Sequence, residues 1–267
     1  MGDSPLDVPM SSRPGHCCGW RYYPLQSVHG EQGDVQLLDI SELTAASLGH
    51  LRLAAGTVRQ LDLQSASSKT AAKVLMSATR DANVYGRALQ EEHRKIGWYL
   101  TTEYVKELIG LEQFKQSHVH GGHTISHCLL GGARTSIIAL IHGGEPMAFG
   151  VHDAIPEATF LHASEPADIR LHHIEGQETI ILVDSVISGR KSITEHVNRI
   201  RSSGLPTRIV VVAGVVQEKA AQEQGLVKQL CGYGRFSVVA LRTSANKYTG
   251  TRGTDTGNRL FNTIALD

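Results

Sequence analysis

The segment from Thr179 to Glu195 constrains the fold of this chain more than any other segment. A run of β-branched and apolar residues (179–183) ends at the carboxylate of Asp184, and a short loop rich in glycine and hydroxyl groups follows. The pattern predicts a buried strand, a turn and then a helix. Because loop N–H groups and a helix dipole both favour an anion, we expect a sugar phosphate to bind at this corner. The alternative is a plain strand-to-helix turn without a ligand.

A helix is predicted directly after this loop. Ser192 and Glu195 have the spacing of a capping box, in which two side chains bond the free backbone N–H groups at a helix start. Ile193, Val197 and Ile200 then fall on one helical face. We therefore expect a helix that packs an apolar face on the sheet.

The alternation of strand and helix continues on both sides of this segment. Short apolar runs predict strands at 136–141, 159–162, 179–183, 208–213 and 237–241. Other stretches predict helices at 145–154, 191–203 and 217–230. Nearly continuous apolar strands separated by helices predict an α/β fold, with a parallel sheet covered by helices on both faces. Ligands of such sheets bind at the carboxyl ends of the strands, where Asp184 and His142 are expected.

The chain before residue 136 has a different character. Residues 1–35 are rich in Pro, Gly, Ser and His and lack periodicity, so we expect an N-terminal extension followed by one domain over 36–267. Apolar residues recur at three- and four-residue steps over 66–111, which predicts a helical segment. Residues 117–134 are rich in Gly and His and predict a hairpin or loop.

Composition argues against several classes of partner. Lys and Arg total 26 and equal the 26 Asp and Glu residues, so no basic excess favours nucleic acid or an anionic membrane. No apolar run approaches the length of a membrane span. The N-terminus lacks the organisation of a signal peptide, so we expect a cytoplasmic protein. The predicted partner is a small-molecule substrate.

A glycine pair and an arginine are further candidates for anion binding. The sequence His142-Gly143-Gly144 follows a predicted strand and precedes a predicted helix, where backbone N–H groups can form an anion nest. A tight turn is the alternative. Farther upstream, Asp81 is suited to capping the following helix and Arg80 to facing an anion, the alternative being a surface arginine.

The C-terminal segment is suited to a different kind of ligand. Residues 251–263 concentrate Gly, Thr, Asp and Asn. Such a loop can present backbone N–H and C=O groups to a planar polar ring. The alternative is a solvated turn, although this density of small polar residues favours a binding role.

Taken in this order, the motifs resemble those of the uracil phosphoribosyltransferase family, and most of all the uracil-phosphoribosyltransferase-like domains of fungal proteins. The likeness runs from about Leu75 to Leu266, and the C-terminal match is the longest and most specific. The matching segments are Thr79-Arg80-Asp81, Gly143-Gly144-Glu145-Pro146-Met147, Ile181-Leu182-Val183-Asp184-Ser185 and Gly253–Thr263.

The resemblance implies a type I phosphoribosyltransferase fold, a homodimer, and a reaction in which uracil and phosphoribosyl pyrophosphate give UMP and pyrophosphate with Mg²⁺. The catalytic candidates are Asp184 beside the ribose hydroxyls, Arg80 facing the pyrophosphate, Asp255 near the substrates, and His142 at the turn. The substrate-binding candidates are Ser188, Gly189, Arg190, Lys191 and Ser192 for the 5′-phosphate, Gly143 and Gly144 at the turn, and Gly253, Thr254, Thr256, Gly257 and Asn258 for uracil.

The chain departs from the family where diphosphate and phosphate bind. The family has arginine at the position of His142, and a histidine lacks the permanent charge and the fork of a guanidinium. In the phosphate loop, Gly189 comes one place early, so Arg190 stands where a side chain would crowd the phosphate. The segment between Leu161 and Thr179 is short for the flexible hood that closes over the family's site.

Histidines are also concentrated outside the predicted site, at 118, 120, 123 and 127. One interpretation is a metal site or an acid–base set, and the other is a polar hairpin tip. No Cys or carboxylate lies at a matching short spacing, so we expect no metal site there.

Three functions stay open on the sequence. The first is a pyrimidine phosphoribosyltransferase. The second is an isomerase, cyclase or lyase on the same fold, in which His142 with Asp184 or Asp255 moves a proton. The third is a non-catalytic binding or regulatory homologue.

Overall fold

The structure of the protein, a computed structural model, describes residues 62–189, 191–205, 207–222, 230, 235–246 and 250–263. The predicted extension at 1–35 lies outside the described residues. So do Arg190 of the predicted phosphate loop and residues 223–229 of the predicted helix at 217–230.

The described strands form two sheets. They are β1 (Asp62–Ser65), β2 (Leu111–Ser117), β3 (His123–Leu129), β4 (Thr135–Leu140), β5 (Thr159–Ala163), β6 (Thr179–Ile187), β7 (Arg208–Gln217) and β8 (Phe236–Ser244). Six of them lie side by side in the order β1-β8-β7-β6-β4-β5, and every neighbouring pair is parallel. The predicted α/β class with a parallel sheet is confirmed.

Helices supply the crossovers that parallel strands require. They are α1 (Thr70–Arg80), α2 (Gly86–Leu100), α3 (Lys106–Ile109), α4 (Glu145–Ala154), α5 (Leu171–Ile174), α6 (Lys191–Arg201), α7 (Glu218–Ala221) and α8 (Thr256–Phe261). A π-helical turn, Thr101–Val105, joins α2 to α3. The predicted helical segment over 66–111 is therefore helical, with a break between α1 and α2. In the described part of the chain, none of the helices has the length and apolar character needed to cross a membrane.

Hydrophobic layers cover both faces of the sheet, as predicted. In β6, Ile180 and Leu182 join the layer that contains α6, whereas Ile181 and Val183 join the layer that contains α2 and α4. Successive side chains of a strand point to opposite faces, so a run that is apolar at every position belongs to a strand buried on both sides.

Two glycines allow α2 and α4 to pack closely. A Cβ at Gly97 would lie 1.9 Å from the carbonyl oxygen of Met147, and one at Gly150 would lie 1.8 Å from that of Arg94. No larger residue fits at these distances. The close packing fixes α4, and with it the turn that precedes α4, against the rest of the fold.

The central strands extend farther than the apolar runs predict. β6 continues past Val183 to Ile187, and β7 and β8 reach Gln217 and Ser244. Backbone pairing among the three strands continues through these extensions, and it compensates for their more polar sequences. Asp184 therefore lies inside β6 rather than after its end.

Two predicted helix caps are wrong. Because α6 begins at Lys191, Ser192 lies inside its first turn and is not the N-cap of the predicted capping box. Asp81 follows the end of α1 and does not cap α2. Its Oδ1 accepts a hydrogen bond from the backbone N–H of Asn83 at 2.8 Å, which stabilises the turn between the helices.

The histidine-rich segment is a hairpin, one of the two predicted forms. Strands β2 and β3 pair antiparallel, with Ser117 opposite His123, and the rings of His118 and His120 lie 5.3 Å apart in the connecting turn. Across the described ranges, no group of three or more His, Cys, Asp or Glu side chains is placed to hold a metal ion.

Candidate substrate-binding site

The turn after β4 rests directly on β6. A Cβ at Gly144 would lie 2.1 Å from the carbonyl oxygen of Val183, and one at Gly143 would lie 2.6 Å from Ser185 Oγ and 3.6 Å from Asp184 Oδ1. The glycine pair is therefore required by packing. The backbone N–H of Gly144 donates to Leu140 O at 2.8 Å, so it is not available to the predicted anion nest.

The C-terminal segment lies against the other side of this turn. A Cβ at Gly257 would lie 3.7 Å from the Cβ of His142, and the rings of His142 and Phe261 meet edge to face at 6.2 Å. Asp255 is the N-cap of α8, because its Oδ1 accepts a hydrogen bond from the backbone N–H of Asn258 at 2.9 Å. The 142–144 turn thus contacts both Asp184 and the C-terminal segment.

Asp184 is a half-buried acid at the ligand-facing edge expected from the sequence, and no cation pairs with it among the described residues. This burial raises the pKa of the carboxyl from 3.8 to about 6, although backbone N–H groups of Val186 and Ser185 act in the opposite direction. Within the described residues, no Lys, Arg or His forms an ion pair with it. Its charge is therefore left for a ligand to stabilise.

A cavity of about 410 Å³ opens beside Ser185. Its walls come from the end of α1, from α2, from the carboxyl ends of β6, β7 and β8, and from the C-terminal segment. Side chains with polar groups in its lining include Thr79, Arg80, His93, Arg242, Thr254 and Thr256. The volume falls in the range of about 300–1,000 Å³ that is typical of small-molecule sites.

The other predicted residues that the structure describes, Asp184 among them, do not line the cavity. Ser188 and Gly189 are exposed where β6 ends, and Lys191 and Ser192 are exposed in the first turn of α6. A Cβ at Gly189 would contact nothing within 4 Å. The described residues of this loop are open to solvent, and they do not line the cavity.

In the C-terminal segment, Gly253 is likewise open, and a Cβ there would meet nothing within 4 Å. Asn258 has a local role, because its Oδ1 accepts a hydrogen bond from Thr263 Oγ1 at 2.8 Å. Of the residues predicted for uracil, Thr254 and Thr256 are the two that line the cavity.

Arg242 is a cavity residue that the sequence did not reveal. It lies near the end of β8, is half-buried, and shares the cavity with Arg80. Burial, together with the charge of Arg80, lowers the pKa of the Arg242 guanidinium. Neither arginine forms an ion pair with a described residue. The cavity therefore carries positive charge that an anion can neutralise.

His93 is a second unpredicted residue of the cavity. Its Nδ1 lies 3.0 Å from Leu89 O, and since a carbonyl can only accept, Nδ1 carries the proton and Nε2 is left as an acceptor. Burial and the charge of Arg259 lower the pKa of the imidazole, which keeps the ring neutral. His93 lies four residues after Leu89 on the apolar face of α2, where a core histidine is the ordinary expectation.

Arg259 connects the C-terminal segment to the break between α1 and α2. Its guanidinium donates to the carbonyl oxygens of Thr79, Asp81 and Val84 at 3.1, 2.7 and 2.8 Å. These bonds hold α8 against the end of α1, so the wall of the cavity that contains Arg80 and the wall that contains Thr254 are fixed to each other.

The fold and the site define a class of protein. The described strands form a parallel sheet with a carboxylate on a central strand and a cavity with two arginines at the carboxyl ends, which is the architecture of α/β proteins that bind their ligands at this edge. The chain matches the family model of uracil phosphoribosyltransferase over residues 66–263, and it belongs to this family. The fold is accordingly that of type I phosphoribosyltransferases, and phosphoribosyltransferase-like function is supported.

A solved structure agrees with the assignment of the fold. The structure of AQ2163 protein from Aquifex aeolicus is similar with a TM-score of 0.56 at 15% sequence identity. The match covers 72% of this chain and 95% of that one. At this identity the likeness concerns the fold alone. Comparison with curated proteins found no match.

Proposed function

We propose that the protein transfers ribose 5-phosphate from phosphoribosyl pyrophosphate to uracil or a related pyrimidine. The proposal rests on one observation: Asp184 lies beside the glycine turn, and its neighbour Ser185 lines a cavity that contains Arg80 and Arg242. A sugar diphosphate matches this arrangement, because its hydroxyls suit a carboxylate and its diphosphate suits guanidinium groups.

In the proposed reaction, a ring nitrogen of the pyrimidine forms a bond to C1 of the ribose while the bond from C1 to the pyrophosphate oxygen breaks. Pyrophosphate leaves with the electron pair of that bond, and the ring nitrogen releases its proton to water. Asp184, ionised in the complex, accepts hydrogen bonds from the ribose hydroxyls. Its negative charge also stabilises the positive charge that develops on the ribose ring.

The usual metal of the family, Mg²⁺, fits the residues present. The carboxyl of Asp184 accepts a 3.4 Å hydrogen bond from Val186 N–H and forms no ion pair with a described residue, so it can contribute an oxygen to a hard cation. Mg²⁺ binds through one or two carboxylates together with substrate phosphates and water, which makes a complete protein cage unnecessary. When bound, the ion would neutralise part of the charge on the departing pyrophosphate.

Recognition of the pyrimidine ring is assigned to the C-terminal segment. Thr254 and Thr256 line the cavity, and His93 offers an acceptor nitrogen. Asp255 supports the segment as its helix cap rather than by facing the cavity. The ring would thus be held by small polar groups on a segment that Arg259 fixes in place.

Proton transfer by His142 has less support. Its ring packs against Phe261, and His142 is not among the residues that line the cavity. A different reaction on the same fold would therefore need the imidazole to leave this packed position.

We further propose a cytoplasmic homodimer that acts on small molecules rather than on nucleic acid or membranes. Sedimentation equilibrium of the purified chain tests the dimer, and a fluorescent fusion tests the location. A monomer at micromolar concentration, or a fusion held at a membrane, would contradict the respective part of this proposal.

The proposed reaction is tested by incubating the protein with labelled uracil, phosphoribosyl pyrophosphate and Mg²⁺ and measuring UMP by chromatography. We expect UMP from the wild type and from the control Arg208→Gln, which changes a residue at the amino end of β7. Calorimetry with phosphoribosyl pyrophosphate is run in parallel. Binding without UMP, even at high protein concentration, would identify a non-catalytic homologue. Absence of both would reject the proposal and favour a different reaction.

A further inference from the structure

The turn that follows β4 offers no arginine side chain to bind a diphosphate. His142 stands where the resemblance to the family implies an arginine, and its ring is packed against Phe261. An imidazole lacks the fork and the permanent charge of a guanidinium. Arg80 alone would then face a ligand group that carries several negative charges.

We propose that Arg242 supplies the missing guanidinium, so that Arg80 and Arg242 together hold the diphosphate of the substrate in the 410 Å³ cavity. This inference rests on the proposed function and names a residue of the same site. It also predicts that the diphosphate lies on the β8 side of Ser185, away from the turn that carries His142.

The first argument is the state of the two arginines. Both line the same cavity, and Arg242 is half-buried. The charge of Arg80 is close enough to lower the pKa of Arg242, and no carboxylate among the described residues forms an ion pair with either. Two like charges in a partly desolvated space repel each other. An anion bound between them attracts both, and this attraction outweighs the repulsion.

The second argument is that the neighbouring cations are already engaged or lie elsewhere. Arg259 donates to three backbone carbonyls, and Arg94 forms a two-bond ion pair with Asp153 at 2.6 and 2.8 Å. Lys191 is exposed on α6 and does not line the cavity. Among the described cations of the cavity, Arg80 and Arg242 are the two with guanidinium groups open to a ligand.

The third argument is the polarity of the rest of the cavity. His93 is neutral and presents an acceptor, and the uncharged residues Thr254 and Thr256 line the same cavity. The cavity thus has a cationic part and a neutral polar part. A ligand with a diphosphate at one end and hydroxyl or N–H donors at the other matches both parts.

The inference is tested by calorimetric titration of inorganic pyrophosphate with Mg²⁺ into the wild type, Arg242→Gln, Arg242→Lys and the control Arg208→Gln. We expect Arg242→Gln to weaken the affinity about tenfold or more, because a charge-assisted fork is lost. Arg242→Lys should recover only part of the affinity, since a lysine keeps the charge but not the fork. Arg208→Gln should bind as the wild type does.

A structural role for Arg242 is separated by thermal unfolding without ligand. Removing an unpaired, half-buried charge should leave the Tm of Arg242→Gln equal to or above that of the wild type. If Arg242→Gln does not fold, Arg242→Lys decides, and an affinity equal to that of the wild type overturns the inference. The inference is also overturned if Arg242→Gln binds pyrophosphate with wild-type affinity, or if the wild type does not bind pyrophosphate.

The result is distinguishable from failure of the proposed reaction. Formation of UMP by both wild type and Arg242→Gln with unchanged pyrophosphate affinity would leave the reaction standing and overturn the role of Arg242. If pyrophosphate binding depends on Arg242 but no UMP is formed, the role of Arg242 is supported and the proposed transfer reaction is rejected.

Discussion

The two sides of Ser185 are built in different ways. On one side, the 142–144 turn is held by packing so close that Gly143 and Gly144 have no space for a side chain. On the other side, an open cavity contains Arg80 and Arg242, whose charges have no acidic partner among the described residues. Packing positions backbone whether or not a ligand is present, whereas unpaired charges reduce stability until a ligand neutralises them. The candidate site thus combines a closely packed half with a half whose charges have no acidic partner among the described residues.

The strongest test of the packed side is Gly144→Ala. The added methyl carbon would lie 2.1 Å from Val183 O and 2.8 Å from Leu140 O, and backbone cannot move aside cheaply. We expect the free energy of unfolding to fall by more than about 3 kcal/mol, at the upper end of the cost of overpacking. Denaturant unfolding measures it. The matched control is Gly189→Ala, which should change stability by less than about 0.5 kcal/mol, and equal stability of the two variants would contradict the packing.

The next largest effect is expected for Asp184→Asn. An amide keeps the shape but offers no negative charge to the ribose, so the rate of UMP formation should fall at least about 100-fold. The variant should be no less stable than the wild type above pH 7, because it removes a desolvated charge. Steady-state kinetics and denaturant unfolding measure the two quantities. An active variant would show that the carboxylate is not used in the reaction.

The raised pKa of Asp184 predicts how the free energy of unfolding depends on pH. Its pKa is about 6 in the folded protein against an ordinary value of 3.8, so between these values the folded state binds more protons than the unfolded state. The free energy of unfolding should therefore fall as pH rises through this window, by about 1–3 kcal/mol, and this carboxyl should add no further change on either side. Unfolding curves of wild type and Asp184→Asn across the window reveal the difference. Parallel curves would mean that the carboxyl is not buried.

The smallest effect separates two roles of Asp255. As the N-cap of α8, its replacement by Ala should lower the free energy of unfolding by about 1 kcal/mol, whereas Asn preserves the cap. Asp255→Asn should therefore keep both stability and UMP formation near the wild-type values. If Asp255→Asn is as inactive as Asp184→Asn, then Asp255 acts as a carboxylate in the reaction, the catalytic role that the sequence resemblance implies.

The parallel sheet could be predicted because it follows from local apolar patterns. The run ending at Asp184 belongs to β6, and the predicted helix over 145–154 coincides with α4. By contrast, β1 is a strand of four residues, Asp62–Ser65, with a single apolar side chain. It is a strand because it pairs with β8, and pairing with a distant segment leaves no local signal.

That Arg242 and Arg80 share a cavity could not be predicted from the sequence, for a related reason. Arg242 follows the apolar run of β8, and only pairing with β7 keeps the chain extended far enough to place it in the cavity. Its partner Arg80 comes from a helix in another part of the sequence. His93 occupies an apolar position of α2, so its pattern is that of a core residue. Such sites form where distant segments of the chain meet in the fold, and no short sequence motif indicates which segments will meet.

The most direct test of the account is a crystal structure of the protein with phosphoribosyl pyrophosphate and Mg²⁺. We predict that the ribose hydroxyls lie within hydrogen-bonding distance of Asp184 and that the diphosphate lies between Arg80 and Arg242. A sugar phosphate bound at another edge of the sheet, or a diphosphate held by the 142–144 turn with Arg242 pointing away, would contradict it.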